Sequence, residues 1–356
     1  MPGSKVARPR LDQPFVTGAI DTPTGQVPVV SSVLSWADRV GGYKVRWGFG
    51  RYTYTVDPGL YAVGTPDDRS PVLVSANYKL SFDALRRELG RRSAWILALD
   101  TRGINVWCAA GKGTFGTDEV VHRVESADLP LTVSHNVIVL PQLGAPGVNG
   151  PEVRRRTRFR VVYGPVRAAD VPAFLDAGMR ATAEMRRVRF TLRDRLVLVP
   201  VEIANELKIA AIATTVVALV GGVGSGWYSL ARAADRGLIG LAAVLGALFA
   251  GTVLTPLLLP WVPGRMFSTK GAIVGAVAAA ALFAKAALSG VASSPVTLAA
   301  AALFVIAGSS FGAMNFTGTS TYTSLHGVEK EMRLVMPWQA LGAAVASVLW
   351  IAGGWY

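Results

Sequence analysis

The chain has a single cysteine, Cys108, which lies in a short segment of mostly small residues. From position 105 to position 114 the segment reads Asn-Val-Trp-Cys-Ala-Ala-Gly-Lys-Gly-Thr. Small residues allow a large, flat partner to approach the backbone closely. A cysteine in the first turn of a helix is favoured as the thiolate, and Lys112 four residues later adds to this effect. The thiolate is the form of cysteine that acts as a nucleophile or as a metal ligand.

The residues alone leave three interpretations of Cys108 open. Reduced cysteine is often a small buried hydrophobic residue with a structural role. A catalytic nucleophile would need a histidine base nearby in the fold. A metal ligand would need a partner with an open position, such as the metal of a cofactor. The glycines around Lys112 do not have the spacing of a phosphate-binding loop, so we exclude that kind of site.

A single cysteine also limits the other sites that this chain can build. It rules out internal disulfides, and it rules out any iron–sulfur cluster or structural zinc site made from the chain's own cysteines. The three histidines are His122, His135 and His326. We interpret His122 and His135 as solvated or hydrogen-bonded structural residues rather than metal ligands.

Cys108 lies in a polar first region of the chain, whose strands and helices would hold it in position. Residues 31–200 predict an α/β domain with a mostly parallel sheet, because short apolar runs alternate with amphipathic stretches. The predicted strands are 72–75, 95–99, 137–140 and 159–162. The predicted helices are 82–89, with Ser81 as N-cap, and 171–188, whereas 117–124 fits a helix or a strand. Residues 1–30 predict an extended or disordered arm.

The charge distribution separates this region from a second one that is typical of a membrane domain. Residues 1–208 contain 29 Lys and Arg against 20 Asp and Glu, whereas residues 209–356 contain 7 against 3. Residues 201–356 therefore predict a transmembrane domain of about five helices, each near the roughly 20 residues that span a bilayer. The apolar stretches are 207–223, 238–259, 271–291, 296–314 and 336–355.

Few polar features interrupt these apolar stretches. Lys285 is the only charge inside one of them, and its place near the end favours snorkelling to the interface over a transport role. Gly271 and Gly275, like Gly308 and Gly312, are one helical turn apart, which permits close helix packing. The polar loop predicted at 315–335, which includes His326, either contacts the first region or a ligand, or is a solvated connection.

Basic residues predict the orientation in the membrane. With a cytoplasmic first region, four basic residues would lie in cytoplasmic loops and two outside, which agrees with the positive-inside rule. The four are Arg265, Lys270, Lys330 and Arg333, and the two are Arg232 and Arg236. Residues 1–15 contain no apolar run, so we expect no secretory signal peptide. The arginines between 154 and 195 are interpreted as cations near an anionic lipid surface, not as a nucleic-acid site.

The segment from Asn105 to Lys112 resembles a signature of the mercury-methylating corrinoid proteins (HgcA). That signature is Asn-[Val/Ile]-Trp-Cys-Ala-[Ala/Ser]-Gly-Lys, and all eight positions fit. The resemblance extends through residues 75–83, 100–104, 141–147 and 163–167 and into the five-span tail. The first region is also distantly similar to the corrinoid iron–sulfur protein of acetyl-CoA synthesis.

This resemblance implies a Rossmann-like corrinoid-binding domain in which the motif forms a helix over the corrinoid. Cys108 would be the catalytic residue, its thiolate serving as the lower axial ligand of cobalt. Many other corrinoid methyltransfer proteins use a histidine in an Asp-x-His-x-x-Gly motif, and no histidine here has that spacing. The implied cofactor-binding residues are Asn105, Val106, Trp107, Cys108, Ala109, Ala110, Gly111, Lys112, Gly113 and Thr114.

The implied activity is a methyltransferase that makes methylmercury from Hg(II). A thiolate donor stabilises Co(III) and favours transfer of the methyl group as a carbanion equivalent to a soft electrophile. Remethylation needs Co(I), so electrons must come from a partner, in the family a ferredoxin-like protein with two [4Fe–4S] clusters. The family's proposed methyl donor is the methyl-tetrahydrofolate pathway. A corrinoid methyl carrier with another native acceptor, and a membrane transporter or sensor with a ligand-binding head, stay open as alternatives.

Overall fold

A computed structural model of the chain describes residues 8–288, 294–316, 322–323 and 325–356. The chain forms two compact units: a head up to Val188 and a tail from Arg189 to Tyr356, with Arg46–Gly48 grouping with the tail. Each unit is described by itself.

The head, as far as the structure describes it, is built on a seven-stranded mixed sheet with strand order β1-β2-β3-β5-β4-β6-β7. Strands β5, β4, β6 and β7 are mutually parallel, whereas β3 is antiparallel to β5 and β1 is antiparallel to β2. The carboxyl ends of the four parallel strands therefore meet at one edge of the sheet. The strands are β1 Val16–Thr22, β2 Gly25–Val30, β3 Gly59–Val63, β4 Val72–Ala76, β5 Ala94–Leu99, β6 Val137–Leu140 and β7 Arg160–Tyr163.

Helices cover both faces of this sheet. Val72 and Val74 belong to one apolar core and Leu73 to another, so successive side chains of β4 point into cores on opposite faces. This arrangement confirms the expectation that the strands are buried on both faces. The helices are α1 Trp36–Arg46, α2 Lys79–Leu89, α3 Val106–Lys112, α4 Thr117–Ser126, α5 Leu129–Thr132, α6 Gly150–Thr157 and α7 Val171–Asp176.

The four predicted strands are confirmed to within one residue at each end, and 117–124 is helical. Residues 16–30 differ from the expectation, because they form a hairpin, β1 and β2, at one side of the sheet rather than an arm. Strand β2 pairs in parallel with β3, which the sequence analysis missed. Strand β2 depends on pairing with β3, which is distant in the sequence, and a local pattern does not report such pairing.

Two predicted helix boundaries are wrong. Helix α2 begins at Lys79, whose backbone N–H donates to the Tyr54 carbonyl at 3.0 Å, so Ser81 lies inside the first turn and is not the N-cap. Helix α7 ends at Asp176 instead of continuing to 188. Gly178 and Met179 have φ of 66° and 62°, and this left-handed backbone ends the helix.

The described part of the tail contains five helical segments long and apolar enough to cross a membrane: Leu192–Gly221, Leu230–Leu258, Phe267–Lys285, Pro295–Asn315 and His326–Ala352. A short hairpin, β8 Val223–Gly224 and β9 Trp227–Tyr228, follows the first segment, and a π-helix at Phe249–Leu254 interrupts the second. The helices are α8 Leu192–Leu196, α9 Val199–Gly221, α10 Leu230–Leu248, α11 Thr255–Leu258, α12 Phe267–Leu288, α13 Pro295–Asn315 and α14 Leu325–Ala352.

The paired glycines of the tail lie at close helix contacts, as the sequence predicts. A Cβ on Gly271 or Gly275 would come within 3 Å of the Ser309 backbone or side chain on α13. The Ser309 hydroxyl also donates to the Gly271 carbonyl at 2.7 Å. Small residues thus allow α12 and α13 to approach each other closely and to share a hydrogen bond.

Several tail helices are longer than the apolar stretches that predicted them. Helix α14 begins at Leu325, so the loop predicted at 315–335 is wrong from Leu325 onward, and residues 317–321 and 324 lie outside the described residues. Arg232, Arg236, Lys270, Lys330 and Arg333 lie within helices rather than in loops, and Lys285 is therefore not the only charge inside a span.

Two buried cations of the tail, Arg236 and Lys270, are bound to backbone carbonyls at the ends of helices. The Arg236 guanidinium donates to the Gly221 and Trp350 carbonyls and lies 4.7 Å from the centroid of the Trp350 ring. Lys270 donates to the Leu259 carbonyl at 2.8 Å. Lys285, by contrast, is exposed, which agrees with snorkelling. Backbone carbonyls at helix ends accept these cations, so we attribute a structural role to them.

Candidate functional site

Cys108 lies in the first turn of α3, the short helix that follows β5. The side chain of Asn105 forms the N-cap, and its Oδ1 accepts the Cys108 backbone N–H at 3.0 Å. Its Nδ2 lies 3.5 Å from Cys108 Sγ and donates to the sulfur. One side chain therefore orients the cysteine backbone and also places a hydrogen-bond donor beside the sulfur.

The two faces of α3 have different environments. Val106, Ala109 and Ala110 are buried in the head core, so they fix the helix against the sheet. Cys108 is half-buried, and Gly111, three residues later on the same face, is exposed. The thiol thus lies on the outer face of a helix whose inner face is anchored.

Asn77, which directly follows β4, holds the turn that leads into α3. Its Oδ1 accepts the Thr101 hydroxyl and backbone N–H, at 2.9 and 3.0 Å, and the Gly103 N–H at 3.1 Å. Asn77 is buried, and its Nδ2 donates to Asp100. Gly103 has φ of 69°, and a Cβ there would lie 2.7 Å from the Tyr52 carbonyl. The hydrogen bonds from Asn77 and the close approach of Tyr52 therefore fix the conformation of this turn.

The loop after β6 holds the other end of the motif. A Cβ on Gly144 would collide with the Phe115 ring, and a Cβ on Gly147 would collide with the Phe115 carbonyl and lie 3.1 Å from Ala110 Cα. Because β4 lies between β5 and β6, a helix that starts after β5 and packs on the loop after β6 crosses the carboxyl edge of the sheet. In parallel sheets ligands bind at this edge.

The outer face of α3 has room for a flat group. Gly111 is in helical backbone, and a Cβ there would meet nothing within 4 Å, so the fold itself does not require glycine at this position. Gly113 also has open space, although its φ of 79° independently favours glycine. A soft sulfur donor beside open, side-chain-free surface fits a planar macrocycle with an axial position for the thiolate.

The remaining candidate residues are placed as follows. Trp107 and Thr114 are half-buried, and Lys112 is exposed at the end of α3. His122 is exposed on α4, and His135 bonds the Ser70 carbonyl at 2.9 Å before β6, at the opposite edge of the sheet. Both histidines therefore have the structural placements that the sequence predicts, and neither is near Cys108.

The sequence analysis missed a buried cluster of four charges, which we call the ion cluster: Asp38, Lys79, Asp83 and Arg86. Lys79 Nζ bonds Asp38 at 2.5 Å and Asp83 at 2.7 Å, and Arg86 bonds the same two carboxylates at 2.9 and 2.7 Å. Burial alone would raise the pKa of Asp38, but hydrogen bonds from Lys79 and Ser35 outweigh it and hold the pKa well below its usual range. The cluster fixes α1 on α2.

A weak signal for these missed residues is present in the sequence. Asn77 is a polar residue directly after a buried strand, where ligand-edge residues of parallel sheets lie. The ion cluster combines Lys79, Asp83 and Arg86, spaced three and four residues apart on one helix, with Asp38 from another. The helix spacing is visible in the sequence, but the partnership with Asp38 is not.

The head is similar to known subunits of one enzyme complex. A family model described as CO dehydrogenase/acetyl-CoA synthase delta subunit matches residues 49–175. This segment includes β3 to β7, Asn77 and the whole α3 motif. It ends before the first membrane-length helix of the tail.

Curated relatives are named as gamma subunits of an acetyl-CoA decarbonylase/synthase complex. The acetyl-CoA decarbonylase/synthase complex subunit gamma of Methanopyrus kandleri is 34% identical over 123 residues, which cover 34% of this chain and 26% of the relative. Subunit gamma 2 of Methanosarcina thermophila is 33% identical over 130 residues, 35% of this chain and 27% of the relative. The gamma subunit of Methanocaldococcus jannaschii is 30% identical over 127 residues.

The match to these relatives is partial on both sides. The aligned segment spans about a quarter of the relatives' own length. Within that segment the matches support the distant similarity of the head to the corrinoid iron–sulfur protein of acetyl-CoA synthesis. They concern the head alone, so the activity of the whole chain is argued below as a proposal.

Proposed function

We propose that this chain is a membrane-bound, corrinoid-dependent methyltransferase that transfers a methyl group to Hg(II), with the Cys108 thiolate as the lower axial ligand of cobalt. The observation that carries the proposal is the outer face of α3, where Asn105 donates to Cys108 Sγ beside the open surface at Gly111. The eight-residue motif resemblance and the similarity of the head to subunits of an acetyl-CoA complex support it.

The residues of the motif would divide the work of holding the cofactor. A bound corrinoid would supply a methyl group carried on cobalt. Cys108 would donate its sulfur lone pair to the metal, and Asn105 would orient the thiolate. Gly111 and Gly113 would leave room for the ring, while the buried alanines keep α3 in place. The order of the four parallel strands supports a Rossmann-like corrinoid domain with its ligand at their carboxyl ends.

Thiolate ligation gives the proposed reaction its direction. A thiolate is a strong, soft donor, so Cys108 would donate electron density to the metal and favour transfer of the methyl group to a soft electrophile. Hg(II) is such an electrophile and is the proposed substrate. No group of three or more His, Cys, Asp or Glu side chains that could hold a metal ion exists among the described residues. The proposed metal contact of the chain is Cys108 Sγ.

The proposal requires partners for the rest of the cycle. Cys108 is the chain's only cysteine, and its thiolate is assigned to cobalt. The electrons would therefore come from a partner, a ferredoxin-like protein with two [4Fe–4S] clusters. The methyl group would come from the methyl-tetrahydrofolate pathway. The five membrane-length helices support a multi-pass protein of the inner membrane, and we propose that its head is cytoplasmic.

A single-turnover assay tests this function. The full chain, purified in detergent without oxygen and loaded with a methylated corrinoid, is mixed with inorganic Hg(II), and methylmercury is measured by chromatography. Wild type is expected to form methylmercury, and Cys108→Ala, loaded to the same cobalt content, is expected to lose most of the rate. Equal rates in the two proteins would exclude the proposed role of the thiolate.

A second candidate shares the cofactor but has another native acceptor. It is favoured by the relatives, whose names place them in an acetyl-CoA decarbonylase/synthase complex. The same assay with arsenite, a thiol or a nickel thiolate in place of Hg(II) distinguishes the two. Faster transfer to one of these acceptors than to Hg(II) would favour the second candidate.

A further inference from the structure

Helix α1 of the head buries Asp38, Gly42 and Val45 on its inward face but leaves two large aromatic side chains exposed. Its inward face carries Asp38, which is buried in the ion cluster and bonded by Lys79 and Arg86. Its outward face carries Trp36 and Tyr43, large side chains that a soluble helix normally buries. Ion pairs, not these aromatic rings, therefore fix α1 to the head, and the rings remain on the surface.

The segment after α1 extends this exposed apolar surface. It folds back on the helix, because the Phe49 N–H donates to the Lys44 carbonyl at 3.0 Å and the Tyr54 hydroxyl donates to the Asp38 carbonyl at 3.3 Å. Five large apolar side chains between 33 and 52 are each 68–78% exposed, and we call them the aromatic patch: Val33, Trp36, Tyr43, Phe49 and Tyr52.

The exposed charge around the aromatic patch has one sign. Between residues 31 and 55 the basic residues are Arg39, Lys44, Arg46 and Arg51, and the only acidic residue is Asp38. Because Asp38 is buried and paired with Lys79 and Arg86, it adds no negative charge to this surface. Arg39 and Lys44 are exposed. The exposed charges that this segment itself contributes are thus all basic.

We propose that Val33–Tyr52 is a membrane-interface element, which binds the head to the anionic lipid surface of the bilayer that the tail spans. Trp and Tyr are enriched at the boundary between lipid and water, where each ring has an apolar and a polar environment. Lys and Arg beside them attract anionic headgroups. The aromatic patch would bind the lipid headgroup layer. Because the ion cluster holds α1 against α2, the patch would be held rigidly on the head.

Lipid-borne quenching of a single fluorescent label tests this proposal on the full chain. Cys108→Ala removes the only thiol, so a second substitution introduces one labelling site, at Tyr43→Cys or Phe49→Cys within the patch. The matched control is Leu131→Cys, because Leu131 is also an exposed apolar residue, 64% exposed, but belongs to α5, outside the segment that carries the patch. The protein is placed in nanodiscs that contain lipids with a nitroxide near the headgroup.

The expected result has two parts. In nanodiscs of equal phosphatidylglycerol and phosphatidylcholine, labels at 43 and 49 should be quenched and blue-shifted, while the label at 131 is not. Adding Arg39→Gln and Lys44→Gln should reduce quenching at 49 towards the control level, as should phosphatidylcholine alone. These two changes lie outside the ion cluster, so the head should keep its thermal unfolding midpoint.

Two results would overturn the proposal. Labels at 43 and 49 that are quenched no more than the label at 131 would show that the patch does not meet lipid and would favour a soluble protein partner instead. Quenching that is equal in anionic and neutral nanodiscs, and unaffected by the Arg39 and Lys44 substitutions, would show that the basic residues have no role. Neither result depends on mercury methylation.

Discussion

Asn105 has two roles at the residue scale, and both concern Cys108. Its Oδ1 accepts the Cys108 backbone N–H, which is an ordinary helix cap, and its Nδ2 donates to the sulfur. An amide is the one side chain of its size that offers an acceptor and a donor together. Aspartate would keep the cap but would replace the donor with a negative charge, so the two roles can be separated by substitution.

Asn105→Asp should slow the alkylation of Cys108 several-fold without unfolding α3. A carboxylate near the sulfur disfavours the thiolate, which is the reactive form, while aspartate remains a good N-cap. The measurement is the rate of iodoacetamide labelling of the full chain at neutral pH, where Cys108 is the only thiol. Asn105→Ala is the companion variant, and it should lose about 1 kcal/mol of stability with the cap. An Asp variant that labels as fast as wild type would contradict the role of the donor.

The sequence predicts part of the candidate site and misses the rest for a physical reason. Cys108, its small neighbours and the lack of a histidine in the Asp-x-His-x-x-Gly spacing follow from residue types and spacing alone. Asn77 acts through hydrogen bonds to a turn 24 to 26 residues later, and Asp38 pairs with Lys79 at a separation of 41 residues. Contacts of this kind depend on the strand order, which local patterns do not contain.

At the scale of elements, α3 owes its position to contacts at both ends. Asn77 holds the turn before it, and Gly144 and Gly147 allow the loop after β6 to pack against the motif. Gly111 differs from these glycines, because nothing in the fold occupies the space that a Cβ would fill. The lack of a side chain at Gly111 therefore favours a ligand that binds at this surface.

Gly111→Ala should raise the stability of the protein and lower its cobalt content. Alanine is favoured over glycine in a helix by roughly 0.5–1 kcal/mol, but its methyl group would occupy the proposed corrinoid surface. Thermal unfolding and cobalt analysis of the same preparations measure both effects. Gly144→Ala is the matched control and should lower stability, because its Cβ would collide with the Phe115 ring. Full cobalt content in the Gly111 variant would argue against this surface.

The ion cluster makes the attachment of α1 sensitive to acid. The folded-state pKa of Asp38 is lowered, so its contribution to stability is fully present above the unfolded pKa of about 3.9 and is lost as the pH falls below it. Asp38→Asn should cost about 3–5 kcal/mol at neutral pH, because it leaves buried cations without a partner. The loss of stability between about pH 5 and pH 3 should be smaller in this variant, as measured by unfolding midpoints. An unchanged acid profile would contradict the assignment. Asp21→Asn, at an exposed position of β1, is the control.

At the scale of the whole molecule, the division into head and tail was predictable, and several boundaries were not. Charge and hydropathy locate the membrane-length helices, because apolar length is a local property. Helix α14 begins about ten residues before its apolar stretch, since Glu331 accepts the Ser268 N–H at 2.6 Å and so allows a charge to be buried there. The hairpin at 16–30 likewise depends on pairing with β3.

The proposed orientation predicts which side of the membrane each end of the protein occupies. In wild type, a membrane-impermeant maleimide should label Cys108 in inverted vesicles and not in right-side-out vesicles. In the Cys108→Ala background, Tyr356→Cys should show the opposite pattern, because an odd number of spans places it outside; Tyr356 is 87% exposed. The reverse labelling pattern would place the head outside the cytoplasm.

The central claim is that Cys108 binds the cobalt of a corrinoid, and one measurement tests it most directly. Cobalt content and the UV–visible spectrum are recorded for the full chain as wild type, Cys108→Ala and Cys108→His, purified from cells that supply corrinoid. Wild type is expected to contain equimolar cobalt, and the spectrum is expected to change in both variants, with the histidine variant adopting an imidazole-ligated form. A wild type without cobalt, or three proteins with the same corrinoid spectrum, would contradict it.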